Sequence, residues 1–595
     1  MKATDYLKRY IRPQFKKIAI IVSSVIIYVF LTLLSPLIFS FIIDHLLKEL
    51  PLENPLVLWL SDLLGGVQYL RHNLWIGFII IMVISVFIAY FTFNRSRYNS
   101  QVGEELAESM RNDMFTHLQL LPYSFHQANK SGELIQKCTS DIEQIRRFIA
   151  NQISEMTFSL TNTVLALLIL FNINLRLTLI SIVSLPIMII VALVFFKRMQ
   201  VVFLASDEAE GALLNVIQEN LQGIRVVKAF NKEQAQAKRF LAHTVHFNET
   251  TYKVIKLLGV YWSFTDTLAL AQILTTIYFG IVFAHQGLIT TGDFYVFLSY
   301  EMMILWPVRM LGRIIADMGK MFVSAKRLGD ILGQPAEDLE SGDRPALNGA
   351  IVFKDVYFKF ADGDNNALQG INLTIEANKT TAIMGPIGSG KSTLVHLLCR
   401  LYDYSSGEIS INGYPINTIA KGYLRKNIGI VLQEPFLFSK TIEENIKISA
   451  PTASNKALVQ AAKIASVHDV ITSFDSGYET MVGERGVTLS GGQKQRISIA
   501  RVIINNVKIL IFDDSLSAVD SETDLQIRKA LKELSSGMTT IIITHRCDSA
   551  FMADKIVVLD KGKIVQSGSH KQLLKQEGFY KKIYNLQKLQ GGNQR

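Results

Sequence analysis

Long apolar runs alternate with polar, helix-forming segments over the first 320 residues of the chain. Six of these runs approach the ~20 residues that an α-helix needs to cross the hydrocarbon core of a bilayer. Pro186 interrupts the fourth run and Glu301 the sixth, but helices are still expected because backbone exposed to lipid must satisfy its own hydrogen bonds. The predicted membrane spans are Ile18–Ile43, Leu74–Thr92, Ile153–Phe171, Leu177–Phe196, Val260–Ala284 and Phe294–Leu311.

Two long connections separate these spans, over residues 93–152 and 197–259. Each holds about 60 residues, enough for two helical arms of about 45 Å at a rise of 1.5 Å per residue. We expect their turns, Tyr123–Asn129 and roughly Glu208–Gln218, to form short helices that contact a soluble domain.

The later part of the chain has the pattern of such a domain. Apolar stretches at Thr381–Met384 and Lys508–Phe512 predict strands, and Thr393–Leu398 predicts a helix. Residues 333–349 are rich in Gly, Pro, Asp and Ser and predict a linker. We therefore divide the chain into an all-α domain with six membrane helices over 1–332, this linker, and an α/β domain over 350–595.

Composition supports a membrane domain fused to a soluble one, since 49% of the 595 residues are hydrophobic and 19% are charged. Basic residues crowd the N-terminus and the long connections, whereas the predicted external loops hold few, namely Lys48, Arg71 and Arg176. The positive-inside rule then places the N-terminus and the soluble domain in the cytoplasm, with the spans in the cell membrane. The net charge of +10 follows from this topology and does not indicate a nucleic-acid partner.

The sequence pattern argues against a signal peptide and against a metal-binding or disulfide arrangement of the cysteines. The first apolar run is long and lacks a small-residue cleavage site, so it predicts a spanning helix and not a signal peptide. Cys138, Cys399 and Cys547 are widely separated and form neither a metal-ligand nor a disulfide pattern.

The stretch Gly385–Ser392 fits the phosphate-binding loop pattern in full. Its glycines let backbone N–H groups close around phosphate, and the helix that follows presents its N-terminus to the anion. Lys391 is suited to the β- and γ-phosphates and the Ser392 hydroxyl to Mg²⁺. The sequence therefore predicts a site for ATP and Mg²⁺.

The segment Leu489–Gln493, followed by Lys494–Ala500, narrows the class of nucleotide-binding protein further. Here the chain resembles the ATP-binding cassette (ABC) superfamily, whose signature motif it matches without departure. Gln433 resembles the Q-loop glutamine, Asp513 the Walker B acid, Asp520 the end of the D-loop and His545 the switch histidine. Four other segments resemble motifs of ABC exporters: Ser131–Leu134, Leu221–Phe230, Ala325–Leu332 and Val482–Gly486.

The resemblance implies roles for individual residues. Asp514, His545 and Gln433 would be catalytic, and Ser392, Gln433 and Asp513 would hold the metal. Adenine would stack on Phe360, with Tyr357 as the alternative and Phe358 as a core residue. The other nucleotide-binding residues would be Gly385, Gly388, Ser389, Gly390, Lys391, Ser392, Thr393, Gln433, Asp513 and Asp520, while Ser490, Gly491, Gly492 and Gln493 would bind the ATP of the opposite subunit.

Asp514 departs from the family pattern, which has glutamate at this position as the general base. Aspartate is one methylene shorter, so its carboxylate falls ~1.5 Å back from the water that it should activate. One interpretation is a tolerated conservative replacement. The other is a degenerate ATP site in one half of a heterodimeric exporter, whose intact signature completes the site of a different partner chain.

The predicted function is therefore one half of an ABC exporter that moves amphipathic compounds, drugs or lipids, across the bilayer. A homodimeric flippase, a nucleotide-gated channel or a regulatory cassette protein are the alternatives. An importer is disfavoured because its membrane and ATPase parts would normally be separate chains. Asp266 and Glu301 lie in predicted spans near Trp262 and Trp306, where they bind cationic substrates, pair internally or sit at the membrane interface.

Overall fold

The structure is a computed structural model that describes residues 3–52, 55–361, 363, 365–483, 486, 489–515, 523, 526–527 and 538–592. The chain forms two compact units. One contains Met1–Leu120 and Asn129–Pro335, and the other contains Leu121–Ala128 and Ala336–Arg595.

The described residues of the first unit are mainly helical. Short 3₁₀ and π segments at Arg12–Gln14, Ile42–Leu47, Lys137–Asp141 and Phe148–Gln152 join several of its helices into longer runs. The helices up to residue 332, of which α6 belongs to the second unit, are α1 (Ala3–Ile11), α2 (Phe15–Phe41), α3 (Pro55–Leu63), α4 (Val67–His72), α5 (Trp75–Leu120), α6 (Tyr123–Ala128), α7 (Ser131–Gln136), α8 (Ile142–Arg147), α9 (Ile153–Ile173), α10 (Leu175–Ser181), α11 (Ser184–Gln222), α12 (Ile224–Ala229), α13 (Glu233–His285) and α14 (Thr291–Leu332).

Six helical runs among the described residues are long and apolar enough to cross a membrane. Each contains one predicted span, apart from Leu74, which precedes its helix by one residue. The prediction of six membrane helices is confirmed. The runs are Ala3–Leu47, Trp75–Leu120, Ser131–Ile173, Leu175–Gln222, Glu233–His285 and Thr291–Leu332.

The two long connections are helical, but one predicted turn is wrong. Glu208–Gln218 lies inside α11, which continues to Gln222. The chain reverses over residues 223–232, around the short helix α12, with Asn231 in the left-handed backbone region at φ 51°. Gly223 and Asn231 suit this reversal better than the helix-forming residues 208–218 do.

Pro307 shows how the membrane core accommodates a helix-breaking residue. Proline has no N–H, so the carbonyl four residues earlier, that of Met303, loses its helical donor. The side-chain amide of Asn162 on α9 donates to this carbonyl at 2.9 Å, and Asn162 is 1% exposed. A buried polar residue thereby keeps α14 continuous and ties it to α9.

The second unit contains two sheets. Strands β2–β1–β4–β5 form an antiparallel sheet, whereas β10–β9–β3–β8–β7–β6 form a sheet that is parallel except at β10. The strands are β1 (Ile351–Phe358), β2 (Leu368–Ile375), β3 (Thr380–Met384), β4 (Ser406–Ile411), β5 (Tyr414–Pro415), β6 (Ile428–Val431), β7 (Ile509–Asp513), β8 (Thr539–Ile543), β9 (Lys555–Asp560) and β10 (Lys563–Gly568).

Several helices of this unit share an apolar cluster with strand residues of the parallel sheet such as Phe512 and Ile542. Ile446, Leu458 and Ile497 are among its buried residues. The helices are α15 (Lys391–Leu398), α16 (Lys421–Asn427), α17 (Ile442–Lys447), α18 (Asn455–Ile464), α19 (His468–Thr472), α20 (Gly491–Ile503), α21 (Cys547–Ala550), α22 (His570–Lys575) and α23 (Phe579–Gly592). The prediction of a six-helix membrane domain followed by an α/β domain is confirmed.

The cysteines provide a test of this packing. Cys399 and Cys547 are 5% and 2% exposed, and burial raises the pKa of their thiols to about 12 and about 11. Alkylation requires an accessible thiolate. We expect iodoacetamide at pH 8 to modify half-buried Cys138 first, and Cys399 and Cys547 only after denaturation. Peptide mass spectrometry over a time course would measure this order, and early modification of Cys399 would contradict it.

Candidate nucleotide site

Four neighbouring strands of the parallel sheet end beside one another and carry the residues singled out from the sequence. The order β3–β8–β7–β6 places the phosphate loop after β3, His545 after β8, Asp513 at the end of β7 and Gln433 after β6. Ligands bind at this carboxyl edge in open α/β sheets because the loops there converge. Sequence positions spread over 160 residues thereby meet at one edge.

The loop between β3 and α15 has the backbone of a phosphate cradle. Gly385, Gly388 and Gly390 have φ values of 150°, 78° and 99°. A Cβ on Gly385 would lie 2.1 Å from the carbonyl oxygen of Leu559, so only glycine fits there. Lys391 is 6% exposed and donates to the carbonyls of Gly385 (3.0 Å) and Pro386 (2.8 Å), which fixes its ammonium group beside the loop.

A buried hydroxyl in this loop fits a phosphate ligand. Ser389 is 2% exposed, and its Oγ has no hydrogen-bond partner among the described residues. Buried hydroxyls are normally paired. A phosphate oxygen would satisfy this donor, while Thr393 follows in the first turn of α15.

Ser392 and Asp513 form the part of the site that suits Mg²⁺. The Ser392 hydroxyl donates to Oδ1 of Asp513 at 3.1 Å, and Asp513 is 7% exposed at the end of β7. Two oxygen ligands this close match the few protein ligands that Mg²⁺ takes beside waters and phosphates. Gln433 is exposed two residues beyond β6, the neighbour of β7.

Asp514 and His545 are held by the backbone at the ends of β7 and β8. Asp514 has φ 45°, its N–H donates to the carbonyl of Ile543 at 3.0 Å, and its carboxylate accepts from the backbone of His545. Burial raises the pKa of Asp514, and the nearby His545 opposes that shift. Burial and Lys391 lower the pKa of His545, so its imidazole is neutral at pH 7.

The aromatic residues after β1 separate into core and surface positions. Phe358 is 4% exposed in the sheet core, as expected for a core residue. Phe360 is half-buried, with its ring 4.8 Å from that of Phe358 and 5.4 Å from that of Tyr402. In both contacts the ring planes are almost perpendicular, so neither neighbouring ring is stacked parallel to the ring of Phe360. Tyr357 lies on the opposite side of the strand from Phe358.

Ser490 begins α20 and leaves its first turn accessible. Ser490 and Gln493 form a reciprocal capping box, with Ser490 N–H to Gln493 Oε1 at 2.8 Å and Gln493 N–H to Ser490 Oγ at 3.3 Å. A Cβ added to exposed Gly491 would meet nothing within 4 Å, and Gly492 follows it in the helix. The free N–H groups of this turn can therefore face an external anion.

The structure adds a residue that sequence reasoning missed. Gln495 is fully buried in α20, and its side-chain amide donates to the carbonyl of Leu432 at 3.2 Å, next to Gln433. This bond links the signature helix to the Q-loop. In the sequence, Gln495 is marked only as a polar residue on the apolar face of its helix. Asp520 and the rest of the D-loop lie outside the described residues.

Helix α6 belongs to the same compact unit as the nucleotide site, as expected for a segment that contacts the soluble domain. The Tyr123 ring lies 5.6 Å from Tyr402 and 5.9 Å from His396, and the Tyr402 hydroxyl donates to Gln127. Since Tyr402 also contacts Phe360, this aromatic cluster connects α6 to the predicted adenine platform.

The two acids of the predicted spans both have partners inside the membrane domain. Asp266 pairs with Arg309 at 2.6 Å, and Arg309 lies over the rings of Trp262 and Trp306 at 4.8 and 5.9 Å. Glu301 is 2% exposed and accepts from Thr276. Arg309 therefore occupies the aromatic faces considered for a cationic substrate, which favours internal pairing.

Comparisons with known proteins agree with this geometry. The family models for the ABC transporter transmembrane region and the ABC transporter match residues 18–308 and 368–517. The chain is 33% identical over 593 residues to the uncharacterized ABC transporter ATP-binding protein YknU of Bacillus subtilis, covering 99% of this chain and 98% of YknU. It is 34% identical over 523 residues to a Staphylococcus aureus protein named as a multidrug export ATP-binding/permease protein, covering 87% and 90% of the two chains.

The fold also matches a solved structure, that of a bacterial Atm1-family ABC exporter with ATP bound. The TM-score is 0.81 at 24% identity, and the match covers 98% of each chain. The chain belongs to the ABC transporter family. It is an ATP-driven exporter half in which the membrane and ATPase domains are fused, and it functions as a dimer with a second half.

Phe360 and Tyr357 can be distinguished by substitution. We expect Phe360→Ala to weaken ATP binding because base–aromatic stacking contributes about 1–3 kcal/mol, roughly 5- to 150-fold in affinity. Tyr357→Ala is the matched control and should leave the affinity within about twofold. Titration of the full-length protein with a fluorescent ATP analogue would measure both, and the reverse result would make Tyr357 the platform.

Proposed function

We propose that this chain is the degenerate-site half of a heterodimeric exporter of amphipathic compounds. In this proposal, residues 1–332 form the membrane domain, 333–349 the linker and 350–595 the ATPase domain. Asp514 after Asp513 carries the proposal, because an aspartate stands where the family has the longer general base, in a sequence whose other ATP-site motifs match the family pattern.

The contacts of Asp514 support weak catalysis at this site. A backbone hydrogen bond from His545 engages its carboxylate. A base must reach its proton within hydrogen-bond distance, about 2.6–3.2 Å between heavy atoms. The shorter side chain starts from a backbone that β7 and β8 fix in place, so it cannot move forward to recover the lost ~1.5 Å.

The exposed signature supports a role for the partner chain. Ser490, Gly491 and Gly492 lie at a capped helix start that offers free N–H groups to an anion. In the proposed pair these groups bind the γ-phosphate of ATP on the partner, whose own glutamate performs the hydrolysis. This chain holds ATP and Mg²⁺ through Lys391, Ser392 and Asp513.

Charge distribution supports an orientation in the cell membrane with the N-terminus and ATPase domain in the cytoplasm. The amphipathic substrate is inferred from the apolar spans and from the multidrug export named for a relative of this chain. Internal pairing of Asp266 leaves a cationic substrate without a free acid at this position.

Restoring the length of the base tests the degenerate site directly. Asp514→Glu extends the carboxylate without changing Asp513, Lys391 or Ser392. In a heterodimer whose partner glutamate is replaced by glutamine, we expect hydrolysis to rise, since general-base assistance contributes roughly 10²–10⁴-fold. A radiometric assay of phosphate release would detect even a small part of this gain.

Asp514→Asn in the same heterodimer is the matched control and should show no gain. The partner must have an intact signature, because a longer base cannot replace missing contacts to the γ-phosphate. Absence of any gain with such a partner would show that Asp514 is not the limiting defect.

Changing the signature separates its role from that of the phosphate loop. Gly491→Asp puts a negative charge where the partner's phosphate would bind, and the open space there lets the protein fold. We expect hydrolysis by the heterodimer to fall at least 100-fold, while ATP binding to the loop of this chain is unchanged. Gly491→Ala is the uncharged control, and persistent hydrolysis in the aspartate variant would rule out the proposed arrangement.

A further inference from the structure

A fully buried acid lies in the middle of the membrane domain. Glu301 is 2% exposed on α14, ten residues from the first residue of that helix. At 1.5 Å per residue this is about 15 Å, half of the ~30 Å hydrocarbon core. An ionised carboxylate at such a depth is strongly unfavourable unless a cation or several donors compensate it.

The polar neighbours of Glu301 do not provide that compensation. Thr276 on α13 donates its hydroxyl to Oε1 at 3.0 Å, and Gln272 one turn earlier donates to the same Thr276 oxygen at 3.4 Å. Both neighbours are neutral. Oε2 has no hydrogen-bond partner among the described residues.

The charged groups on the surrounding helices have other partners or lie at other depths. Asp266 and Arg309 pair with each other, ten residues along α13 from Thr276 and eight along α14 from Glu301. Arg176 lies at the outer start of α10. Buried Asp44 accepts from the Thr290 hydroxyl and from the N–H of Gly292 at the start of α14. Other charged pairs on α14 and on the helices packed against it lie towards the cytoplasm and include Lys17 with Glu105, Glu155 with Arg95, Arg146 with Glu143 and Arg313 with Asp317.

The same cluster holds together a break in a membrane helix. α10 ends at Ser181 and α11 begins at Ser184, two residues before Pro186. The side-chain amide of Gln272 spans this break, since it donates to the carbonyl of Ile180 at 2.9 Å and accepts from the N–H of Ser184 at 3.0 Å. The Ser184 hydroxyl is buried and, like Oε2 of Glu301, has no partner among the described residues.

Gln272 therefore connects the broken helix to Glu301 through Thr276. Discontinuous helices near the bilayer midplane form ion-coupling sites in other transporters because unpaired backbone groups and a protonatable side chain meet there. The cluster has a helix break and a protonatable side chain, and two of its buried side-chain oxygens, Ser184 Oγ and Glu301 Oε2, have no hydrogen-bond partner among the described residues. A rearrangement of the break between α10 and α11 would therefore change the surroundings of the Glu301 carboxyl group directly.

We propose that Glu301 is a proton-binding site of the transport cycle. In the conformation described here the carboxyl carries its proton. When the break between α10 and α11 rearranges and admits water, the O–H bond of the carboxyl breaks and the proton passes to water, leaving a carboxylate. Closure reverses the step, so water is the only co-reactant. This step is separate from the nucleotide chemistry and does not depend on which chain is the partner.

Infrared spectroscopy tests the protonated state without any transport assay. We expect the wild-type protein in lipid nanodiscs at pH 7 to show a carbonyl band of a protonated carboxyl that Glu301→Gln removes. Asp266→Asn is the matched control, because that acid is paired with Arg309, and it should leave the band unchanged. An identical band in the wild type and in Glu301→Gln would overturn the proposal.

Proton exchange during the cycle needs a second measurement. A non-hydrolysable ATP analogue added to the reconstituted exporter, which avoids the protons that hydrolysis itself releases, should change the signal of a pH-sensitive dye in the wild type, and Glu301→Gln should lose at least half of that change. The glutamine carbonyl can still accept from Thr276, so the cluster keeps its hydrogen bond. Glu301→Asp keeps a titratable group and should retain part of the signal. A full dye response in Glu301→Gln would overturn proton exchange at this residue.

Discussion

The membrane domain depends on one constraint, which is that every backbone polar group in hydrocarbon needs a partner within the protein. At two of the prolines in the membrane helices, Pro307 and Pro186, a side-chain amide from a neighbouring helix pairs the backbone groups that lack a helical partner. Asn162 donates to the carbonyl that Pro307 leaves without a donor, and Gln272 bonds to both sides of the break that precedes Pro186. These amides fix which helices are neighbours, because an amide can satisfy only the backbone that it reaches. Packing of α9, α13 and α14 is therefore specified by hydrogen bonds as well as by apolar contact.

The ATPase unit is organised by a different constraint, the alignment of parallel strands. β3, β8, β7 and β6 end at the same edge, so the glycine-rich loop, His545, Asp513 and Gln433 meet there. The buried side-chain amide of Gln495 then links the segment of Gln433 to the helix that begins after Ser490.

The two parts use buried polar groups in opposite ways. In the ATPase unit the buried hydroxyl of Ser389 has no hydrogen-bond partner among the described residues, and in the proposed site a phosphate oxygen would supply one. In the membrane unit Oε2 of Glu301 likewise has no partner within the described part of the chain, and a proton is the smallest partner that would remove the charge of the carboxylate. Helix α6 belongs to the same compact unit as the ATPase residues, although in the sequence it lies between helices of the membrane unit.

The sequence alone determined the six membrane helices, the domain class and the nucleotide-binding motifs, because apolar run length and glycine-rich loop spacing are local properties. The prediction of a turn at residues 208–218 was wrong, because the residues that suit a reversal, Gly223 and Asn231, lie beyond that segment. The sequence left the environment of Asp266 and Glu301 open, and it marked Asn162, Gln272 and Gln495 only as polar residues in apolar helices. Their hydrogen bonds join residues 25 to 141 positions apart, and only the tertiary structure decides which buried polar groups become partners.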